Sequence, residues 1–231
     1  IGIYLNNNSG VAVANSKLNL SNGTVDVSGS ENGVGVYVNK GTVTDSGSTI
    51  TVGKNGVGLY AKDSSVTLAG STINLLGDNA LGLYLDGSTS FSGTGNININ
   101  GRNVVLFNMN SSGTISNNFN VASTAPGSTY ALGNIAGGAF EYTGISNLDS
   151  NGTLVSGTNS AIYLNGSTVT SASGATNVAA VALDGQYTGT VPAGMTAGTD
   201  GENNGIIILV DSSAGIYGKN GSRISNKGSI T

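Results

Sequence analysis

The sequence predicts an all-β protein, a right-handed parallel β-helix with three short strands per rung, about 23 residues per rung and about nine to ten rungs. Three observations carry that expectation. A tripeptide ending in an aromatic residue recurs at near-constant spacing, the apolar residues inside each repeat come in pairs two apart, and no stretch shows a helical period. The tripeptide is clearest as Gly2-Ile3-Tyr4, Gly35-Val36-Tyr37, Gly58-Leu59-Tyr60, Gly82-Leu83-Tyr84 and Gly215-Ile216-Tyr217, with weaker copies ending at Phe107, Tyr130 and Tyr163. The aromatics stand at 4, 37, 60, 84, 107, 130, 163 and 217, so the successive gaps are 33, 23, 24, 23, 23, 33 and 54. The last gap has room for a diverged repeat near Val181-Ala182-Leu183.

The elements of one repeat follow in order. The first strand carries the aromatic, with Leu59 and Ala61 flanking Tyr60. The second is marked by Val43, Val66, Phe91, Val169 and Ile224. The third is marked by Ile50 and Val52, Ile73 and Leu75, Ile97 and Ile99, at +13 and +15 counted from the aromatic. Alternation with a period of two belongs to strands with one buried face. Leu59, Val66, Leu68, Ile73, Leu75, Leu83, Ile97 and Ile99 are therefore expected to line the interior. The corner before the aromatic strand reads Gly53-Lys54-Asn55, Gly77-Asp78-Asn79 and Gly101-Arg102-Asn103, and Gly and Asn both tolerate the positive φ of a sharp corner. Asn-Gly recurs at 22, 32, 55, 151, 165, 204 and 220. In a hairpin protein it would mark type I′ turns; standing at one phase of a fixed period, it marks corners of a coil. Propeller blades need about 40 residues and sandwiches have no fixed period, so neither fits. Residues 1–231 read as a single β-helix segment, an internal piece of a longer chain, with irregular rungs or insertions near 6–33, 133–158 and 185–205.

Composition excludes several classes of function. Only 9% of the 231 residues are charged, against about 25% in an ordinary soluble domain. His, Cys and Trp are all absent, which removes an imidazole base, a thiol nucleophile and any zinc site built on nitrogen or sulfur. Eight scattered cations make no basic patch, so nucleic acid is not an expected partner. The longest apolar run, 206–210, is too short to cross a bilayer, and no membrane insertion by this segment is expected. No phosphate-binding loop appears, and no cofactor is expected. Without disulfides, the stacking of rungs must supply the stability.

Three groups of residues are candidates for function. If Leu59 and Ala61 face inward, Tyr60 faces outward, as do Tyr37, Tyr84 and Phe107, and parallel stacking sets them in a column. Two positions on, the same face carries Asn39, Lys62, Asp86 and Asn165. Such a strip can contact sugar rings or a protein partner; alternatively the rings simply stabilise the coil, with Gly at the preceding outward position leaving room. The second group is the irregular rungs, because loops vary over a fixed scaffold. Pro192 marks one of them as no central strand, and its Asp200 and Glu202 are too few carboxylates for calcium, so no metal is expected. The third group is the acids, Asp26, Asp45, Asp63, Asp86, Asp149, Asp184 and Asp211. Asp63 and Asp86 lie one rung apart, but the arginines that could assist them are only Arg102 and Arg223. The chain is not expected to be an enzyme; a β-helix polysaccharide lyase or glycosidase is the alternative.

The run from Gly215-Ile216-Tyr217 through Asn220-Gly221-Ser222 to Gly228-Ser229-Ile230-Thr231, with Gly56-Val57-Gly58-Leu59-Tyr60, resembles passenger domains of large outer-membrane autotransporters (type V secretion). The resemblance covers most of the chain and is poorest over 108–160 and 184–214. It implies a surface-exposed adhesin on a bacterial cell, anchored through a membrane barrel absent from this chain and contacting a cell-surface protein or glycan of a host or partner bacterium. A purely structural stalk is the other role such a rod can play.

Overall fold

A computed structural model describes residues 1–8, 16–123, 125–148, 153–171, 178–210 and 213–231. The described residues form an all-β solenoid without helices, and every strand pairing is parallel. One sheet, the front sheet, stacks nine strands in chain order: Ile3–Asn6, Val34–Asn39, Val57–Lys62, Leu81–Gly87, Val104–Ser111, Tyr130–Ala136, Thr153–Thr158, Ala179–Asp184 and Ala214–Lys219. The diverged repeat is present, since Ala179–Asp184 takes its place in this order. The other thirteen strands form a bent sheet that closes the coil.

The expected three strands per rung are three legs, of which the second and third fuse in some rungs and stay apart in others, as in Ala139–Tyr142 and Ile145–Leu148. Early rungs keep them apart, as in Thr42–Ser46 and Thr49–Val52. Ser65–Leu75 and Ser90–Ile99 run through both legs as one strand. The bend falls at Gly70 and Gly95, whose φ values are 66° and 143°, the second of which suits glycine alone. At the corners before the front sheet it is the asparagine that takes the left-handed conformation: φ is 54° at Asn55, 56° at Asn79 and 54° at Asn103. Asn22, Asn32 and Asn220 do likewise, so these Asn-Gly pairs turn corners and make no hairpins. The pair at 151–152 lies outside the described residues.

All eight residues expected inside are buried. Each buried Leu or Ile contributes about 1.5–3 kcal/mol, and neighbouring rungs supply the surface against which it is hidden. The core changes character midway. Val36, Ile50, Leu59, Ile73 and Leu83 give way to Phe91, Phe107, Phe119 and Phe140. Phe107 meets Phe91 edge-on at 5.8 Å and Phe140 at 5.7 Å.

The glycine of the Gly-x-Tyr tripeptide does not face outward as expected. A Cβ on Gly35 would come within 2.8 Å of Ile50 Cγ2, and one on Gly58 within 3.4 Å of Ile73 Cγ2 and 2.6 Å of the carbonyl oxygen of Gly82. These glycines let the front strand close down on the aliphatic column of the third leg.

Candidate functional site

The outer face of the front sheet carries the aromatic column. Tyr4, Tyr37, Tyr60 and Tyr84 stack with centroids 4.9, 5.1 and 5.1 Å apart and planes within 10°. The register explains this, because Tyr4 pairs Tyr37, Tyr37 pairs Tyr60 and Tyr60 pairs Tyr84. Tyr4 is 58% exposed; the other three are half-buried.

Two positions along lies a polar column in the order Asn6, Asn39, Lys62, Asp86, Asn110. Asn39 Nδ2 donates to Asn6 Oδ1 at 2.9 Å. Lys62 Nζ lies 3.6 Å from Asp86 Oδ2, and Tyr60 OH donates to the same oxygen at 3.4 Å. Partial burial and the Asp86 charge raise the Tyr60 pKa, so its hydroxyl stays a neutral donor across the physiological range. Tyr37, Tyr60, Tyr84, Asn39, Lys62 and Asp86 therefore lie together on one face.

Phe107 does not join them. It is fully buried and pairs Leu83, while Asn108 pairs Tyr84 and takes the outward place. The repeat count leads from Tyr84 to Phe107, one position short of the true sheet partner, and in a strand one position exchanges the two faces. The outward column continues through Asn108, Asn134, Ser156 and Ala182 to Tyr217. Tyr130 pairs Val104 and is buried. Tyr163 and Asn165 belong to the bent sheet, in Ala161–Ser171, where they pair Glu202 and Asn204. Asn165 is thus not on the tyrosine face.

The acids are held one by one. Asp26 accepts from the Ser28 amide and hydroxyl at 2.9 and 2.7 Å. Asp45, buried, accepts from the Ser71 hydroxyl and the Ser48 amide. Asp63 accepts from the Ser88 amide at 3.0 Å. In register it is Lys62, not Asp63, that faces Asp86. Asp184 accepts from Asn220 Nδ2 and pairs Lys219, which together hold its pKa below the usual carboxylate range. Asp149 and Asp211 lie outside the described residues. No group of three acids gathers among the described residues.

Of the irregular stretches, 133–158 contains parts or all of Tyr130–Ala136, Ala139–Tyr142, Ile145–Leu148 and Thr153–Thr158. Across it Asn134 pairs Ser156 in the front sheet. Part of 6–33, at 9–15, falls outside the described residues. The stretch 185–205 divides. Gly201–Ile208 is a strand of the bent sheet, and 185–200 forms a flap over that sheet's outer face. Met195 there packs with Ala139, Ala161 and Tyr163, and Tyr187 and Val191 pack against the same cluster.

Two buried carboxylates fasten the flap. Asp200, fully buried, accepts from Arg223 Nε at 3.0 Å and Nη2 at 2.9 Å, and from the amides of Arg223 and Tyr187, both at 2.7 Å. Glu202 accepts from the Thr196 amide at 3.0 Å and pairs Lys227 Nζ at 2.9 Å. Burial pushes both pKa values up. The Arg223 guanidinium and two amides at Asp200, and Thr196 with Lys227 at Glu202, outweigh it and hold both below the usual range. Sequence reasoning missed Arg223 and Lys227 as partners. The available signal was spacing, for each cation follows its acid by one rung.

Compared with protein-family models, curated proteins and solved structures, the chain finds no match.

Proposed function

We propose that the chain is a segment of a cell-surface adhesin, a passenger rod held outside a bacterium and touching a protein or glycan on a host cell or another bacterium. The observation that carries this reading is the row of Tyr4, Tyr37, Tyr60 and Tyr84 on one outer face, flanked by Asn39, Lys62 and Asp86. Aromatic side chains offer large contact area at small entropy cost, and they dominate the energetics of many interfaces. The low charge, the absence of cysteine and the repeat-built core suit a chain that crosses an envelope unfolded and folds outside by stacking. Its resemblance to autotransporter passengers points the same way.

One observation favours the second reading, a structural stalk. The rings of Tyr37 and Tyr60 each have a stacked neighbour on both sides, so the middle of the ladder offers edges and hydroxyls, not open ring faces. Stacking of this kind stabilises the rod whether or not anything binds. A glycosidase would need facing carboxylates, and Asp26, Asp45, Asp63, Asp86 and Asp184 are engaged singly by hydroxyls, amides and cations.

The test is a triple substitution, Tyr37→Ser, Tyr60→Ser and Tyr84→Ser, in the protein displayed on cells. Adhesion should fall while display and far-ultraviolet circular dichroism stay unchanged. Undiminished adhesion at equal display assigns the ladder to the stalk reading.

A further inference from the structure

We infer that the chain binds an uncharged sugar residue in the groove between the first residues of the flap and the row of corners beside it. The groove has a volume of about 460 Å³ and is lined by Ser112 and Asn159 from corners, by Thr114 at the start of the strand Thr114–Ser123, and by Gln186, Tyr187 and Thr190 from the flap. That volume is in the range of small-molecule sites, about 300–1,000 Å³. The lining comes from successive rungs, which lie roughly 5 Å apart, so the groove runs along the rod and suits a short oligosaccharide.

The chemistry of the lining selects the ligand class. Among the described residues, no ionised side chain lines the groove. A charged ligand would lose its hydration without gaining a counter-charge. A wholly apolar ligand would strip water from hydroxyls and carboxamides and leave them unpaired. A peptide that binds by adding a strand needs a free sheet edge, and the front-sheet strands at these rungs are paired on both sides. A neutral sugar fits what remains. Its hydroxyls match the hydroxyls and carboxamides, and its C–H face can lie on the half-buried Tyr187, which lines the groove while also packing against the Met195 cluster.

The aromatic is held in place by the ion pair beneath it. The Tyr187 amide donates to Asp200 Oδ1 at 2.7 Å, and its carbonyl accepts from Arg223 Nη2 at 3.1 Å. The backbone on both sides of the ring is thus fixed by one buried carboxylate and its arginine. Next to it, Gln186 Nε2 donates to the Gly221 carbonyl at 2.8 Å. A site fixed before the ligand arrives loses less entropy on binding. Asp200 and Arg223 are positioning residues here, and Tyr187 is the contact.

The inference rests on the adhesion reading for its biological setting, but this groove is separate from the tyrosine ladder, so the two fail separately. The test uses the whole chain and saturation-transfer NMR. The probes are neutral oligosaccharides of galactose, glucose, mannose and N-acetylglucosamine, with a heparin oligosaccharide and an uncharged peptide for comparison. At least one neutral sugar should receive saturation. Tyr187→Ala should weaken its binding by about tenfold or more, Arg223→Gln should weaken it too, and Tyr60→Ser should leave it unchanged. Saturation of heparin or the peptide but of no neutral sugar overturns the proposal. So does no saturation of any probe, or undiminished binding by Tyr187→Ala. If Tyr187→Ala exposes the flap to amide exchange, the double variant Thr188→Val, Thr190→Val replaces it, and unchanged binding there overturns the proposal as well. Sugar binding without adhesion by displaying cells would sink the adhesion reading and leave this one standing.

Discussion

Asn108 stands directly beside Tyr84 in the front sheet, and the aromatic next to it in sequence, Phe107, points the other way into the core. The outer ladder ends at this step, and the front strand joins the inner aromatic cluster that Phe91 opens in the rung of Tyr84. On the near side the rings stack outside, Tyr60 on Tyr84 at 5.1 Å. On the far side they interlock inside, with Phe107 against Phe91, Phe119 and Phe140. Moving the aromatic by a single position along its strand is enough for the exchange, because neighbouring side chains of a strand face opposite sides.

Asn108→Tyr should therefore lengthen the ladder. Its ring would fall next to Tyr84 and add about 0.5–1.5 kcal/mol, the usual worth of an aromatic pair. Phe107→Ala should cost about 3–5 kcal/mol by opening a cavity among the phenylalanines. Melting temperatures of the two variants should move in opposite directions. A loss of stability in Asn108→Tyr comparable to that in Phe107→Ala would mean the register at this rung is different.

Leu83→Asp places a carboxylate on the inward face of a rung whose neighbours are Leu59 and Phe107, all fully buried. An unpaired buried charge should cost several kcal/mol, on the order of 3–5. Rungs couple mainly to their nearest neighbours, so hydrogen exchange should accelerate first in 57–62 and 104–111 and last at the two ends. Simultaneous loss of protection along the whole rod would contradict the local part of this expectation.

The inward columns were legible because their signal is local. Val66 with Leu68 and Ile73 with Leu75 repeat a period of two within each rung, whatever the length of the corners. Phase across rungs was not legible to the same degree. The sheet partners Tyr37, Tyr60, Tyr84, Asn108, Asn134 and Ser156 are unevenly spaced along the chain, and an error of one position turns a side chain over. Ala161-Ile162-Tyr163 imitates the Gly-Ile-Tyr tripeptide, yet Tyr163 lies on the bent sheet under Met195. That contact is made by a flap whose path no periodicity encodes. Tyr187 was invisible for the same reason. It lies in no strand, and its position depends on an acid and an arginine that meet only after the rungs stack.

Gly58→Ala and Gly29→Ala should differ sharply, although both add one methyl group. At Gly58 the new Cβ would sit 2.6 Å from the Gly82 carbonyl oxygen, part of the backbone of the next rung. That oxygen cannot move without disturbing the ladder, so the cost should be about 1–3 kcal/mol, as for other overpacked sites. Among the described residues nothing lies within 4 Å of a Cβ at Gly29, and its φ is not positive. There the alanine should be neutral or stabilising by up to about 1 kcal/mol, through the reduced freedom of the unfolded chain. Urea midpoints of the two variants read the difference; equal shifts would show that the close approach at Gly58 is not tight.

The flap should be sensitive to acid and the rungs beneath it much less so. Asp200 and Glu202 have folded pKa values below their ordinary ones, because Arg223, Lys227 and backbone amides outweigh burial. A carboxylate of this kind binds fewer protons folded than unfolded. Its contribution is complete above the unfolded pKa, about 3.9 for Asp and 4.3 for Glu. It is lost as the pH falls through that value and on through the folded one. Amide protection of 185–200, corrected for intrinsic exchange, should hold level from neutral pH down to about 5 and fall below about 4. Over the same interval 57–62 and 65–75, stabilised by Leu59, Val66, Ile73 and Leu75, should remain protected. Asp200→Asn removes the charge at every pH, so its flap should already exchange faster at neutral pH and respond less to acid. Flap protection that rises on acidification, or that falls in step with 57–62, would show that the two carboxylates are not what fastens 185–200 to the rod.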